Sequence, residues 1–167
     1  MRNIYLTETI FGKGVKAKIN INKGEKVLDF LGQITNRYGL PYPYTSSNDY
    51  YLQIGIDRFL GPSGELDDYV NHSCDPNAGI VFSENLISLV AIKPILKDKE
   101  IFYDYSTTMY NFGWKMKCFC KSKNCRKLID DFLCIPYQVQ QKYIELGIIP
   151  EYILTRYYNY QFMNEQK

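Results

Sequence analysis

Three thiols fall within eight residues in Cys118-Phe119-Cys120-Lys121-Ser122-Lys123-Asn124-Cys125, a spacing that can fold around one tetrahedral ion. Zinc takes four ligands, so a fourth must come from elsewhere, and Cys74, Cys134 and His72 are the candidates. Five cysteines, with one left over, fit metal ligation better than a disulfide framework in a chain with no visible export signal. A second group is Asn71-His72-Ser73-Cys74-Asp75-Pro76-Asn77, which sets the single histidine among hydrogen-bonding residues. A third, Gly12-Lys13-Gly14, lets a backbone come close to a ligand without side-chain interference. In the fourth, Tyr103 and Tyr105 stand two apart on a strand, so both hydroxyls can point into one pocket.

The elements that must position these groups are short. Val15 to Ile21 alternates and reads as a strand, residues 22–25 as a turn, and Lys26 to Leu31 as a second strand ending at Gly32. Residues 35–49, with Pro41, Pro43 and a Thr-Ser-Ser-Asn-Asp run, read as a loop or short insert. Tyr50 to Ile56 is a strand, and Gly61 to Gly64 a turn. Ile80–Phe82 and Leu86–Ile92 form a hairpin around residues 83–85, and Ile101–Tyr103 follows the turn at 97–100. The tail changes character. Val139, Tyr143 and Leu146 recur at helical spacing between Pro136 and Gly147, and Pro150 opens a second helix carrying Ile153, Leu154, Tyr157 and Tyr158.

A chain of 167 residues suffices for one compact domain with a core. Hydrophobic residues at 46% and charged ones at 23% are those of a globular protein. No run approaches the roughly 18 apolar residues of a membrane span. The N-terminus shows no apolar signal stretch, so the expected compartment is the cytoplasm by default, with export to a host cell or nucleus left open. A net charge of +2 without a basic stripe argues against direct nucleic-acid binding. Sixteen tyrosines serve mostly for packing, though aromatics also line channels for cations.

Taken in order, these groups resemble the SET family of protein lysine methyltransferases. Gly12-Lys13-Gly14 looks like the glycine motif opening the cofactor site, and Gly24-Glu25-x-Val27-x-x-Phe30-x-Gly32 resembles the strand pair after it. Asn71 to Asn77 matches the family signature without departure, and Ala91-x-Lys93-x-Ile95 followed by Glu100-Ile101-x-Tyr103-Asp104-Tyr105 resembles the catalytic strand. Cys118, Cys120 and Cys125 have the post-SET spacing. The resemblance implies a mostly β fold of the β-clip type, with pseudoknot-like threading of the Asn71–Cys74 segment, a zinc-bound post-SET loop and short C-terminal helices. It divides the chain into a SET domain over 1–112, a zinc segment over 113–130 and a helical appendage over 131–167, the last matching no motif of the family.

The same resemblance implies an S-adenosylmethionine-dependent enzyme that methylates a lysine of a protein substrate, a histone tail being one candidate. Tyr105 would be the catalytic tyrosine, with Tyr103 as a gate on how many methyls are added, and mainly monomethylation is expected. Gly12, Lys13, Gly14, Tyr51, Asn71, His72 and Tyr105 would bind the cofactor. Cys74 would join Cys118, Cys120 and Cys125 on one structural zinc, leaving Cys134 a free, buried thiol. Asp68-Tyr69 replaces the usual Arg-Phe pair, Phe30 a frequent Tyr, and Arg126-Lys127-Leu128 the aromatic residue that follows the zinc cysteines. The rival expectation is a catalytically silent SET-like module whose zinc loop makes protein contacts.

Overall fold

The computed structural model describes residues 3–42, 49–84, 86–111 and 113–165. The middle of the 35–49 loop, Asn85 of the hairpin turn and Phe112 before the cysteine segment lie outside the described residues. The architecture is mostly β, with two helices at the end, as expected. Its strands are short and group into five sheets of two or three strands among the described residues.

Strands β1 (Ile4–Thr9) and β2 (Gly12–Ala17) form the first hairpin. Its turn is closed by Thr9, whose Oγ1 accepts from Phe11 N and donates to Gly12 O. Gly12 has φ +89, a conformation that disfavours any side chain. The expected alternation to Ile21 stops at Ala17, and Ile21 instead makes a lone bridge to Ile95. β3 (Lys26–Asp29) pairs with β9 (Ile87–Ala91), which pairs in turn with β8 (Ala78–Phe82). β4 (Ile34–Thr35), β5 (Leu52–Gly55) and β6 (Arg58–Leu60) make another antiparallel sheet. Ile4, Val15, Ile80, Leu89 and Ile101 from several of these strands fill one core.

Two short pairings matter more than their length. β7 (Asn71–His72) runs parallel to β10 (Phe102–Tyr103), joining segments about thirty residues apart. Ser73 N–H then donates to Tyr103 O. β11 (Met116–Lys117) and β12 (Leu128–Ile129) form a hairpin around the cysteine cluster, and Cys74, Met109, Cys118 and Ile129 make a small core beneath it. This is how the Asn71–Cys74 segment comes to lie under a later loop.

Helices α1 (Tyr137–Glu145) and α2 (Glu151–Glu165) follow a 3-10 turn at Phe132–Cys134. Tyr143, Ile153 and Tyr157 of the expected helical faces are buried with Phe132, whereas Tyr158 is exposed. Cys134 is free as expected but exposed, not buried. In the 3-10 turn Phe132 takes the inward position, which leaves Cys134 facing out beside Asp130 and Asp131.

Candidate active site

The site is built where β2, β7 and β10 converge. Asn71 Nδ2 donates to Lys13 O at 3.0 Å and to Glu100 Oε1 at 2.9 Å, so both of its amide hydrogens tie the glycine strand to the Glu100 turn. Gly14 sits in the middle of this junction. A Cβ there would come within 2.6 Å of Glu100 Oε1 and 2.8 Å of Asn71 Nδ2, so a larger residue would push these side chains aside and disturb the junction. Asn77 repeats the device one turn away, donating to Glu100 O and accepting from Phe102 N–H, each at 2.8 Å. The asparagines of the Asn71–Asn77 motif are thus clamps between strands. That is why a two-residue pairing holds.

His72 is buried and both of its ring nitrogens are engaged. Nδ1 lies 3.2 Å from the Tyr105 N–H that donates to it, which places the ring hydrogen on Nε2. Nε2 is 3.3 Å from Cys74 Sγ. Burial, with a contribution from the Arg126 charge, lowers its pKa to about 4 against the pull of Asp104, so the ring is neutral at ordinary pH.

The thiols gather as the spacing anticipated. Cys74 Sγ and Cys118 Sγ are 3.6 Å apart, Cys125 Sγ and Cys118 Sγ also 3.6 Å, and Cys74 N–H approaches Cys120 Sγ at 3.5 Å. Tetrahedral zinc with bonds of about 2.3 Å sets its sulfurs about 3.8 Å apart, so the arrangement fits the ion. His72, Cys74, Cys118 and Cys120 offer ligand atoms within 4.8 Å of one another, which keeps the histidine in contention with Cys125 by distance alone. Burial pushes the Cys74 thiol up to about 11 and Cys118 higher still. Cys120 goes the other way. Burial opposes its ionisation, yet bonds from the Ser122 hydroxyl and Cys74 N–H lower it to about 6, so this corner already favours one thiolate.

Two cavities of unlike size meet here. A wide cleft of about 980 Å³ is lined by Gly12, Lys13, Asn71, His72 and the hairpin from Lys115 to Lys121. A narrow pocket of about 60 Å³ is lined by Phe30, Tyr51, Leu52, Val70, Tyr103 and Trp114. Four residues border both: Asp49, Tyr50, Asp68 and Tyr105. The Tyr105 hydroxyl donates to Val70 O at 2.9 Å, and its ring lies 4.8 Å from Tyr103 and 5.2 Å from His72, centroid to centroid. Phe30 stands edge-on to Tyr103 at 5.8 Å. Burial, reinforced by the charges of Asp49 and Glu100, pushes the Tyr105 hydroxyl up, so it remains protonated.

The chain's SET-domain match spans residues 12–106. This chain belongs to the SET domain family. Among relatives of the SET-domain chain, the variant-silencing SET domain-containing protein of Plasmodium falciparum is 32% identical over 131 residues, covering 68% of this chain and 5% of the relative. Histone-lysine N-methyltransferase Set2 of Drosophila melanogaster is 28% identical over 127 residues, covering 69% of this chain and 5% of its own length. The chain therefore spans about a twentieth of these relatives. The crystal structure of KRYPTONITE with mCHH DNA, an H3(1–15) peptide and SAH superposes with a TM-score of 0.61 at 22% identity, over 78% of this chain and 30% of that one. At that identity the likeness establishes the SET fold alone.

Among the residues expected at the site, Gly12, Lys13, Asn71, His72 and Tyr105 line the wide cleft together. Gly14 braces it from behind. Tyr51, expected against the cofactor, lines the narrow pocket instead, and its neighbour Tyr50 takes the border of both. Sequence reasoning missed Asp49 and Trp114. It read Arg126 as the loss of an aromatic residue, but Trp114, ahead of the cysteines, lines the narrow pocket. Arg126 points inward, its guanidinium on Asp104 at 2.7 Å from both nitrogens. A lone arginine beside a metal cluster was the one available signal for that pair.

Proposed function

We propose that this SET-domain chain catalyses S-adenosylmethionine-dependent methylation of a lysine side chain on a protein substrate. The observation that carries the reading is the meeting of a wide cleft and a narrow pocket with several aromatic walls at Tyr105. The SAH and H3 peptide of the KRYPTONITE structure and the printed activity of Set2 support the same assignment, with a histone tail as the leading substrate class.

In the wide cleft, Asn71 has spent its two hydrogens on the protein and keeps Oδ1 as an acceptor, which suits the ammonium of an amino-acid moiety. The His72 ring has no nitrogen to spare, so its main chain is the part that would meet the adenine. Lys13 offers its main chain, and its Nζ is held 5.2 Å above the Tyr69 ring centroid. S-adenosylmethionine, when bound, supplies a methyl at a sulfonium for in-line displacement.

The substrate amine must be neutral to attack, and a free lysine titrates near ~10.4. Phe30, Leu52, Val70 and Tyr103 disfavour the ammonium by desolvation, while Asp49, Asp67 and Asp68 on the same lining draw the amine in and offer its proton a route out to water before transfer. Tyr105 orients the amine lone pair, and its own hydroxyl is fixed by Val70 O. The N–C bond forms as the S–C bond breaks, leaving a methylated ammonium that aromatic walls tolerate.

Cys74, Cys118, Cys120 and Cys125 would hold one structural zinc that closes residues 113–130 over both cavities. His72 then serves as an N–H donor to the Cys74 sulfur, orienting a ligand without being one, since its Nδ1 accepts from Tyr105 N–H. In this reading the SET domain over 1–112 carries most of both pockets and the 113–130 segment completes them, and Tyr103 limits the product mainly to monomethyl-lysine.

The test is mass spectrometry of histone and other lysine peptides incubated with the purified protein and S-adenosylmethionine. Gain of 14 Da on lysine, on the order of one methyl per site, is the expected outcome. SAH binding without transfer to any protein or peptide offered would favour the silent module instead.

A further inference from the structure

The C-terminal helices match no SET motif, yet two of their tyrosines end on the walls of the site. Tyr143 of α1 is buried, and its hydroxyl donates to Asp104 Oδ2 at 2.9 Å. Asp104 directly precedes Tyr105 and is fully buried. It also accepts both Arg126 nitrogens and the Ser106 N–H. Arg126 follows Cys125, and its own N–H approaches Cys74 Sγ at 3.4 Å. A single carboxylate therefore joins the catalytic turn, the cysteine hairpin and α1. A buried charge of this kind is held only while all its donors are in place.

Tyr152 of α2 does the equivalent on the other side. Its hydroxyl lies against Thr108 O and Gln53 O, residues that both line the narrow pocket. Gln53 carries the brace onward, exchanging bonds with the Tyr110 main chain at 2.9 Å in each direction.

We propose that Tyr143 and Tyr152 are positioning residues for methyl transfer. Through these two hydroxyls the helical appendage fixes the Asp104–Arg126 pair behind Tyr105 and the back wall of the narrow pocket. The inference rests on the reading of that pocket as a lysine channel. A purely structural role would make the two tyrosines no different from Tyr157, which is as buried as Tyr143 but whose hydroxyl meets Gln141 and Gln161 of the helices themselves.

The full-length variants Tyr143→Phe, Tyr152→Phe and Tyr157→Phe keep each ring and remove only a hydroxyl. Peptide turnover, thermal midpoint and hydrogen exchange of the 114–126 segment are measured on each. Tyr143→Phe is expected to lower kcat about tenfold, the cost of one donor to a buried charge, and to speed exchange across 114–126. Tyr152→Phe should raise KM for the lysine peptide about threefold, with kcat less affected. Tyr157→Phe should leave both constants within about twofold even where its midpoint falls as far. Unchanged kinetics in the first two, or losses that simply follow the midpoint in all three, overturn the proposal. If the unaltered protein transfers no methyl at all, the proposed function fails, and exchange alone decides the brace. Faster exchange at 114–126 in Tyr143→Phe but not in Tyr157→Phe then supports it, and unchanged exchange overturns it.

Discussion

The wide cleft and the narrow pocket share Tyr105 but are held by different means. The cleft runs from Gly12 and Lys13 of the glycine strand to the cysteine hairpin, with Asn71 as the clamp between strands. The pocket is lined by the rings of Phe30, Tyr51, Tyr103 and Trp114 around about 60 Å³. A ligand with many polar atoms needs fixed donors and acceptors, which backbone provides with little entropy to lose. An alkylamine needs a width, which aromatic rings provide. Substitutions should therefore separate the two: changes at the cleft alter cofactor affinity, and changes at the pocket alter rate or product.

The largest effect should come where the two cannot be separated. Cys118 contacts both Cys74 and Cys125, so Cys118→Ser should cost the proposed zinc, and with it both cavities. Less than half a zinc per chain by elemental analysis, with turnover down by about 100-fold or more, is expected; full activity in a metal-free protein would remove the zinc from the account.

Tyr105→Phe comes next. It keeps the ring and loses the hydroxyl held on Val70 O. Turnover should drop about 100-fold, while SAH affinity by calorimetry stays within about twofold. Comparable losses in both would make Tyr105 a structural residue and erase the distinction between cavities.

Gly14→Ala tests the cleft by itself. Its methyl would press on Glu100 and Asn71 side chains, so SAH should bind about tenfold more weakly, while kcat at saturating S-adenosylmethionine is nearly kept. A fall in kcat without a change in affinity would mean that the clamp serves the pocket instead.

Tyr103→Phe tests the pocket by itself, and it should barely move the rate. Its expected effect is on product: di- and trimethyl-lysine in place of mainly monomethyl-lysine, read by intact mass at long reaction times. Phe30, packed edge-on against Tyr103, brings no hydroxyl to this wall, so Tyr103→Phe would leave that ring pair without one. Abundant trimethyl product from the unaltered protein would show that Tyr103 is not the gate. Smallest of all is Cys134→Ser, where the exposed thiol should leave zinc content and activity unchanged.

Much of this was legible because it is local. The cysteine cluster and the Asn71–Asn77 signature lie within eight residues each, and Tyr103 and Tyr105 are near neighbours; spacing alone pointed to a metal at the thiols, and the order of all these groups carried the resemblance that gave the others their roles. The helices at 137–145 and 151–165 followed from periodicity and from Pro136, Gly147 and Pro150. Two-residue strands such as β7 and β11 carry too little pattern to read, because their stability comes from clamps elsewhere in the chain. The placement of Cys134 was misjudged for a related reason: an isolated cysteine has no local pattern, and which side of a 3-10 turn faces inward depends on what packs below it.

By itself, then, the sequence determined the chemical inventory, the family and the order of the elements, since these follow from residue types at short separations. Tertiary structure alone decided that Tyr50 borders both cavities while Tyr51 lines only the narrow one. It also decided that Trp114 closes the pocket from ahead of the cysteines, and that Asp104 gathers Arg126 and Tyr143 from 22 and 39 residues away. The physical reason is that a buried carboxylate must find its donors wherever the fold brings them, and nothing in the spacing of three distant residues records that they meet.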